Sequence, residues 1–389
     1  MDKVRFGIVG LGNMGSIHAR SMKDVPGAEL TAVCDKDPEK LKKIVDSTGA
    51  KGFADYQSMI GSGLVDAVLI AVPHYEHVPM ALAAFEKGLH VLCEKPVSVG
   101  VKSARQLNDA YTKKYSHLKF GIMFQMRTAP AYKKMREIIA DGELGQITRM
   151  TWIATTWFRT WTYYASGGWR ATWSGEGGGV LINQCPHNLD QIGWITGLTP
   201  KRVTATAHIA KTHPIEVEDE VSAIIEFTNG ATGHFITTTG EAPGSDRLEI
   251  AGDRGKIIAE NGKLTIFRTR KSVQETNRTT KESFPNMEAW ESEVPVGKRE
   301  GEGHKVITEN FINAILKNEP LISPGIEGIR GLELGNAMLM AGLRSKPVDF
   351  PVDGDAFDVM LVELAKTYGG KKQLQNQTTA VVDMGKSFH

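Results

Sequence analysis

The chain is poor in cysteine. Only Cys34, Cys93 and Cys185 occur in 389 residues. Their spacing fits neither a metal-ligand set nor a disulfide framework, so no metal site is expected, and two of them sit where buried strands should end. No apolar run approaches transmembrane length. The first strand-like run begins by Val4, which leaves no room for a signal peptide. Net charge is also lacking. Lys plus Arg is 46 and Asp plus Glu is 45, so no global field draws nucleic acid or an anionic membrane. Lysine pairs such as Lys113-Lys114 and Lys371-Lys372 read as solvated surface. The expectation is a soluble cytoplasmic protein, too long for one ordinary core and so built of two domains.

What the sequence does contain starts at Val4-Arg5-Phe6-Gly7-Ile8-Val9, followed at once by Gly10-Leu11-Gly12-Asn13-Met14-Gly15 and a helical pattern. An apolar strand, a G-x-G-x-x-G and a helix form a dinucleotide-binding fingerprint. Gly10 permits the tight turn, Gly12 lets backbone approach a pyrophosphate, and Gly15 lets helix and strand pack closely. The pyrophosphate then meets unpaired N–H groups at the positive end of the helix. A second apolar run, Ala28 to Cys34, ends in Asp35, 20 positions after Gly15. A carboxylate there accepts from a ribose diol and repels a 2′-phosphate, which favours NAD over NADP. Lys36 beside it could partly tolerate the phosphate.

Strand-like runs (Val4–Val9, Glu29–Cys34, Ala67–Val72, His90–Cys93, Leu118–Phe124) alternate with amphipathic stretches (Asn13–Val25, Pro38–Ser47, Glu76–Lys87, Val101–Lys114) up to residue 125. Asp37-Pro38 is a helix-start signal, and Gly88 a helix end. Such alternation implies a parallel sheet covered on both faces. After the turn cluster at Asp141–Gly145 the pattern changes. Gln146 to Phe158 reads as one long strand. Val221, Ala223, Ile225 and Phe227 alternate with polar residues, and Asn229-Gly230 and Asn261-Gly262 are hairpin signals of the kind that need positive φ. The expected architecture is an N-terminal Rossmann domain over residues 1–125. A second domain over 126–389 is expected on a large, mainly antiparallel open sheet, for substrate binding and oligomerisation. Helices near Gly303–Leu316 and Gly325–Leu343 should pack back on the first domain. Residues 270–300 resist assignment. An open sheet face predicts a homodimer or homotetramer.

Three constellations carry chemistry. Strand His90–Cys93 runs into Glu94-Lys95-Pro96, at the carboxyl edge where ligands of such sheets bind. A lysine there can hydrogen-bond a substrate hydroxyl and stabilise a developing alkoxide; the plainer alternative is a surface lysine at a strand end. The second is Gly177-Gly178-Gly179 through Asn183, Pro186, His187 and Asp190. Pro186 suits a first helical position and Gly197 a helix end. His187 then lies in the first turn, where the helix dipole disfavours imidazolium and keeps a general base neutral. A structural N-terminal histidine is the alternative. Asn183 would orient the substrate or the histidine. The third is aromatic: five of seven tryptophans fall between Trp152 and Trp173, interleaved with Arg159 and Arg170. Flat rings suit sugar C–H faces and arginines suit hydroxyls; a core or subunit interface would look similar.

Together these motifs resemble the Gfo/Idh/MocA family (glucose–fructose oxidoreductase, inositol dehydrogenase and relatives) over Gly7 to about Pro351. The most specific pieces are Cys93-Glu94-Lys95-Pro96, Gln125-Met126-Arg127 before Pro130-Ala131-Tyr132, and Gly177 through His187. The resemblance places the family's E-K-P lysine on Lys95. It places the aspartate-x-x-x-histidine motif on Asn183 and His187, with Asn in the aspartate position. The cofactor site is then read as Gly10, Gly12, Asn13, Met14, Gly15, Asp35, Lys36, Pro73, His74, His77, Glu94 and Lys95. The substrate site is read as Lys95, Arg127, Trp157, Arg159, Trp169, Arg170, Asn183 and His187. The expected activity is NAD-dependent dehydrogenation of a sugar, polyol or glycoside. Two other readings stay open: a glycosidase that uses NAD transiently, and a non-enzymatic sugar- or nucleotide-sensing regulator.

Overall fold

A computed structural model describes residues 2–298, 301 and 303–374 of the chain; the end of the expected second domain, residues 375–389, lies outside them. Six parallel strands form the first sheet: β1 (Val4–Val9), β2 (Ala28–Cys34), β3 (Lys51–Phe53), β4 (Ala67–Ile70), β5 (His90–Cys93) and β6 (Phe120–Ile122). Their order is β3-β2-β1-β4-β5-β6. The order reverses between β1 and β4, and a crevice opens there beyond the carboxyl ends. Local signals explain the helices. Asp37 caps the Pro38–Thr48 helix by accepting from the N–H groups of Glu39 and Lys40. The His77–Glu86 helix ends before Gly88, whose φ is 72°.

The second sheet has nine strands in the order β14-β13-β12-β11-β7-β10-β9-β8-β15. They are β7 (Ile147–Ala154), β8 (Pro200–Ile209), β9 (Glu218–Phe227), β10 (Thr232–Thr238), β11 (Asp246–Gly252), β12 (Gly255–Glu260), β13 (Lys263–Thr269), β14 (Ala289–Glu293) and β15 (Val348–Asp349). All pairs are antiparallel except β7 with β10. The alternation in β9 buries Val221, Ala223, Ile225 and Phe227 as its period predicts. At the Asn261-Gly262 turn both residues have positive φ (52° and 74°), whereas at Asn229-Gly230 only the glycine does.

Two sequence expectations need correction, and one stretch that resists assignment in the sequence has defined elements. The long strand from Gln146 ends at Ala154. At Thr155 the N–H still donates to the Ser245 carbonyl (2.7 Å), but the side-chain hydroxyl takes the return bond from the N–H of Ser245 (2.8 Å) and donates to Glu241 (2.7 Å), which ends the ladder. The chain then turns at Thr160, which caps the short Trp161–Ala165 helix. Residues 270–300 are not featureless: they hold the Val273–Thr279 helix and the edge strand β14. Lys372 is not solvated surface. Its ammonium donates to the carbonyls of Gly167 (3.0 Å) and Arg170 (2.9 Å). Lys113 and Lys114 are exposed, as expected.

One late helix packs on the first sheet and a second ties the two sheets together. Gly303–Lys317 lays Phe311 against Phe6 of β1 (ring centroids 6.2 Å apart). Gly328–Arg344 crosses from the first sheet to the second. Its Asn336 accepts from the N–H of Val101 (2.9 Å) and donates to the carbonyl of Val99 (3.1 Å). Farther along, a side chain at Gly331 would stand 2.7 Å from the backbone nitrogen of Asp190, and one at Gly342 would stand 2.7 Å from that of Ala207. Backbone packs on backbone along this helix. No helix among the described residues is long and apolar enough to cross a membrane.

Candidate active site

The crevice begins at the glycine turn. Gly10 has a φ of 84°, and a Cβ there would lie 2.5 Å from the carbonyl oxygen of Ala71. A Cβ on Gly15 would lie 1.7 Å from the carbonyl oxygen of Gly10, so the Asn13–Ser21 helix can pack here only with glycine. Gly12, at the helix start, faces open space. That helix has no side-chain cap and no acidic residue in its first turn. Its free N–H groups therefore fit an anionic pyrophosphate at this end, next to Asn13 and Met14. Asp35 stands beside the turn. One carboxylate oxygen accepts from the N–H of Leu11 (2.6 Å), the other from that of Asp37 (2.8 Å). Each oxygen keeps a lone pair for a ribose hydroxyl. Lys36 is exposed next to it. These residues fit a dinucleotide.

Pro73, His74 and His77 follow β4 along the same edge. His77 is held between the carbonyls of Pro96 (2.7 Å) and Val72 (2.8 Å), and His74 Nδ1 lies 3.0 Å from the carbonyl oxygen of Glu176. His77 thus shapes the crevice wall rather than offering a free nitrogen. Glu94 is buried and pairs with His18 Nε2 at 2.7 Å. Burial works against its charge, but the bond and proximity to His18 prevail and bring its pKa down to about 2.

Lys95 projects from the end of β5, and its Nζ donates to the backbone carbonyl of Asn183 (3.0 Å). Burial pulls the ammonium below its usual range; Glu94 and Glu176 oppose that, while Arg170 and Arg159 reinforce it. His187 is the second residue of the Pro186–Thr196 helix, which Gly197 closes at φ 69°. The imidazole is 3 % exposed, and neither ring nitrogen has a protein partner. Burial first, then Lys95 and His304, hold its pKa well below the ordinary value, so it is neutral. Burial and neighbouring cations do what the helix dipole alone was expected to do. Buried polar atoms without partners are rare and each costs about 1–3 kcal/mol. Here they cluster: Trp157 Nε1 and Asn188 Oδ1 are also unpartnered. With His187 they line a cleft of about 410 Å³ between Tyr132, Gln191 and the β11–β13 edge.

Asn183 sits on a short turn of helix, Val180–Asn183. Its Oδ1 accepts from Tyr163 Oη (3.1 Å) and Gln184 Nε2 (3.0 Å), and its Nδ2 donates to Glu176. The aromatic region divides. Trp152 and Trp173 are fully buried core, whereas Trp157 lines the cleft and Trp169 is partly exposed edge-on to His74 (5.9 Å). The Arg159 guanidinium lies over Trp157 and Tyr163 (5.7 and 5.2 Å to the centroids). Arg170 lies over Tyr163 and Trp169 and donates to Tyr163 Oη (2.6 Å).

Arg127 is the clear departure. It was expected at the substrate, yet its guanidinium is buried and spent on protein. Nε and Nη2 make a two-pronged contact with Asp190 (2.8 and 2.6 Å), and Nη1 donates to Glu327 (2.6 Å) and to the Ile322 carbonyl (3.2 Å). Arg127 joins the Pro186–Thr196 helix, through Asp190, to the turn that holds Glu327. The sequence reading also missed Glu176 and Glu218. Glu218 is buried and accepts from the N–H groups of Gly179 (2.8 Å) and Leu181 (3.2 Å), supporting the turn that carries Asn183; burial pushes its pKa up to about 8. The available signal was a lone carboxylate among glycines at Glu176; Glu218 lies in the acidic run Glu216–Glu220, which reads as surface.

Comparison with known proteins agrees with this geometry. Residues 4–121 match the oxidoreductase family with an NAD-binding Rossmann fold, and residues 132–258 match the GFO/IDH/MocA C-terminal domain. The chain is 31 % identical over 240 residues to the rhizopine catabolism protein MocA of Rhizobium meliloti, spanning 60 % of this chain and 70 % of that one. It is 24 % identical over 340 residues to an inositol 2-dehydrogenase of Rhizobium meliloti, covering 86 % and 95 %. The WlbA dehydrogenase of Bordetella pertussis, solved with NADH and UDP-GlcNAcA, superposes with a TM-score of 0.75. It shares 25 % identity and covers 90 % of this chain and 100 % of its own. The crevice beyond β1, β4 and β5 is therefore an NAD site, and the chain belongs to the GFO/IDH/MocA family of oxidoreductases.

Proposed function

We propose that the chain oxidises a CH–OH group of a sugar, polyol or glycoside, with His187 as general base. The observation that carries this is the buried imidazole with two free nitrogens on the wall of a polar cleft. A neutral imidazole in that position takes a hydroxyl proton as the alkoxide forms. Lys95, with one N–H spent on Asn183, has two left to donate to the same oxygen and stabilise its developing charge. NAD, when bound, accepts the carbon-bound hydrogen as hydride. The Gly10–Gly15 turn and Asp35 hold it, and Asp35 favours it over NADP. Trp157, Trp169 and Arg159 meet the ring and its hydroxyls in this reading. The named relatives support the substrate class: one is an inositol dehydrogenase, and another was solved with a nucleotide-linked sugar acid. Subunits pairing through the outer face of the second sheet, where Ile224 and Ile236 are exposed, completes the reading.

The test is a panel of inositols, free hexoses, glycosides and nucleotide sugars, run with NAD and with NADP and read as reduced nicotinamide. Steady formation of NADH with at least one neutral or nucleotide-linked sugar is expected. Cleavage of a glycoside with no net NADH would refute the dehydrogenase reading in favour of transient oxidation.

A further inference from the structure

The chemistry above gives no task to the buried carboxylate of Glu176. It is 1 % exposed. One oxygen accepts from the N–H of Ala171 (2.6 Å) and the other from Asn183 Nδ2. A carboxylate receiving two N–H donors is an acceptor only. It therefore dictates which way the Asn183 amide points: Nδ2 towards Glu176, Oδ1 away. Oδ1 then accepts from Tyr163 Oη, which accepts in turn from Arg170 Nη1. The result is a one-way chain of hydrogen bonds from a cation, Arg170, through Tyr163 and Asn183 to an anion, Glu176. The same Asn183 presents its backbone carbonyl to Lys95 Nζ.

We infer that Glu176 is a positioning residue for the proposed dehydrogenation: it fixes the orientation of Asn183, whose backbone carbonyl holds Lys95, and adds a second negative charge to that of Glu94 beside the lysine. Asn183 is neutral, so the charge on this side of the lysine comes from its neighbour on the loop. The groups that face Glu176 are Arg170 from its own loop (4.0 Å), Lys372 from the C-terminal stretch, Lys95 from the end of β5, Tyr164 from the Trp161–Ala165 helix and Glu218 from β9. His74 contacts its backbone carbonyl. Burial raises the pKa of Glu176, while Arg170 and the two N–H donors hold it down. Glu176 in turn helps keep Lys95 protonated, as an alkoxide stabiliser must be.

The role rests on the dehydrogenase reading for its kinetic arm but not for its titration arm. The variants are Glu176→Gln and the exchanged pair E176Q/N183D, in which the amide and carboxylate trade places and the hydrogen bond is kept. Three things are measured on the full chain: kcat against pH on the best sugar of the panel, NAD affinity, and the Lys95 titration. The last is followed by NMR of ¹³C-methylated lysines, with the signal assigned by its loss in Lys95→Met. Glu176→Gln should lower kcat at least tenfold with NAD affinity changed less than twofold. It should move both the Lys95 titration and the alkaline limb of the rate profile down by about one pH unit. The exchanged pair should bring kcat back to within about threefold and restore the titration. A Glu176→Gln protein with an unmoved Lys95 titration overturns the inference. So does an exchanged pair that fails to fold, or folds without recovery. If Glu176→Gln itself does not fold, the exchanged pair alone decides. No turnover by the unaltered enzyme on any sugar would sink the dehydrogenase reading and leave the Lys95 titration to judge Glu176.

Discussion

Replacing Arg127 by methionine separates a structural guanidinium from a substrate ligand. The side chains of Arg127 and Asp190 are 1 % and 2 % exposed, and two short bonds of 2.6 and 2.8 Å join them. Removing the cation leaves Asp190 buried with only the weaker attraction of Arg330 to offset its charge. Breaking one side of such a pair costs about 3–5 kcal/mol. Glu327 suffers less, because it is partly exposed and keeps Arg330 at 3.2 Å. The size of the loss therefore reports mainly on Asp190. Two further expectations follow from that assignment. In R127M/D190L the apolar pair should recover most of the loss, since well-packed replacements of buried ion pairs are often neutral. The single variant should also show its own pH dependence. Burial raises the Asp190 carboxyl, and Arg127 is what holds it down. Without Arg127 the folded form binds a proton more tightly than the unfolded chain does. Stability then falls as pH rises, and the deficit against wild type shrinks as pH drops from 8 to 5. Urea unfolding followed by tryptophan fluorescence reads all three, because Trp194 lies 5.6 Å from the guanidinium. A loss under about 1 kcal/mol with a raised sugar KM would refute the structural assignment and return Arg127 to the substrate.

His187→Ala should keep NAD binding and lose roughly two to four orders of magnitude in kcat. Adding Lys95→Ala should cost less than the product of the two single losses, since both act on one hydroxyl; a near wild-type rate for His187→Ala would discard it as the base. Glu218, with its pKa pushed up to about 8, holds a proton in the fold that the unfolded chain releases from about pH 4 upward. Stability should decline through that window, and Glu218→Gln should flatten the decline in a series of thermal melts from pH 5 to 8. Parallel slopes for the two proteins would count against the assignment.

Features written in a few consecutive residues were legible in the sequence. The β1–glycine–helix unit, the Asp37 cap and the alternation in β9 each need only neighbours along the chain. Lys95 and His187 stood out as candidates from a strand end, a helix start and the family resemblance together. What the sequence could not show is which distant group meets which. The Arg127–Asp190 contact spans 63 positions, and nothing local separates an arginine aimed at a substrate from one aimed at a buried aspartate. Glu176 touches Asn183 only seven residues away, yet the contact depends on how the glycine run folds back. The parallel pairing of β7 with β10 sits inside an otherwise antiparallel sheet, and no period reports it. Trp152 and Trp173 in the core and Trp157 at the cleft look alike as letters.

The glycines of the Gly328–Arg344 helix bear on how this enzyme can be altered. Exchanging a helical glycine for alanine is a standard route to a more heat-resistant protein, worth about 1 kcal/mol where the site is open. Here the new methyl at Gly331 would press on the backbone of Asp190, three residues past His187, and at Gly342 on that of Ala207 in β8. Either change would wedge the helix that carries His187, or strand β8, away from this one. The Gly328–Arg344 helix acts as a spacer with no slack between the Pro186–Thr196 helix and the second sheet. A heat-stabilising library for this chain should leave those two positions alone.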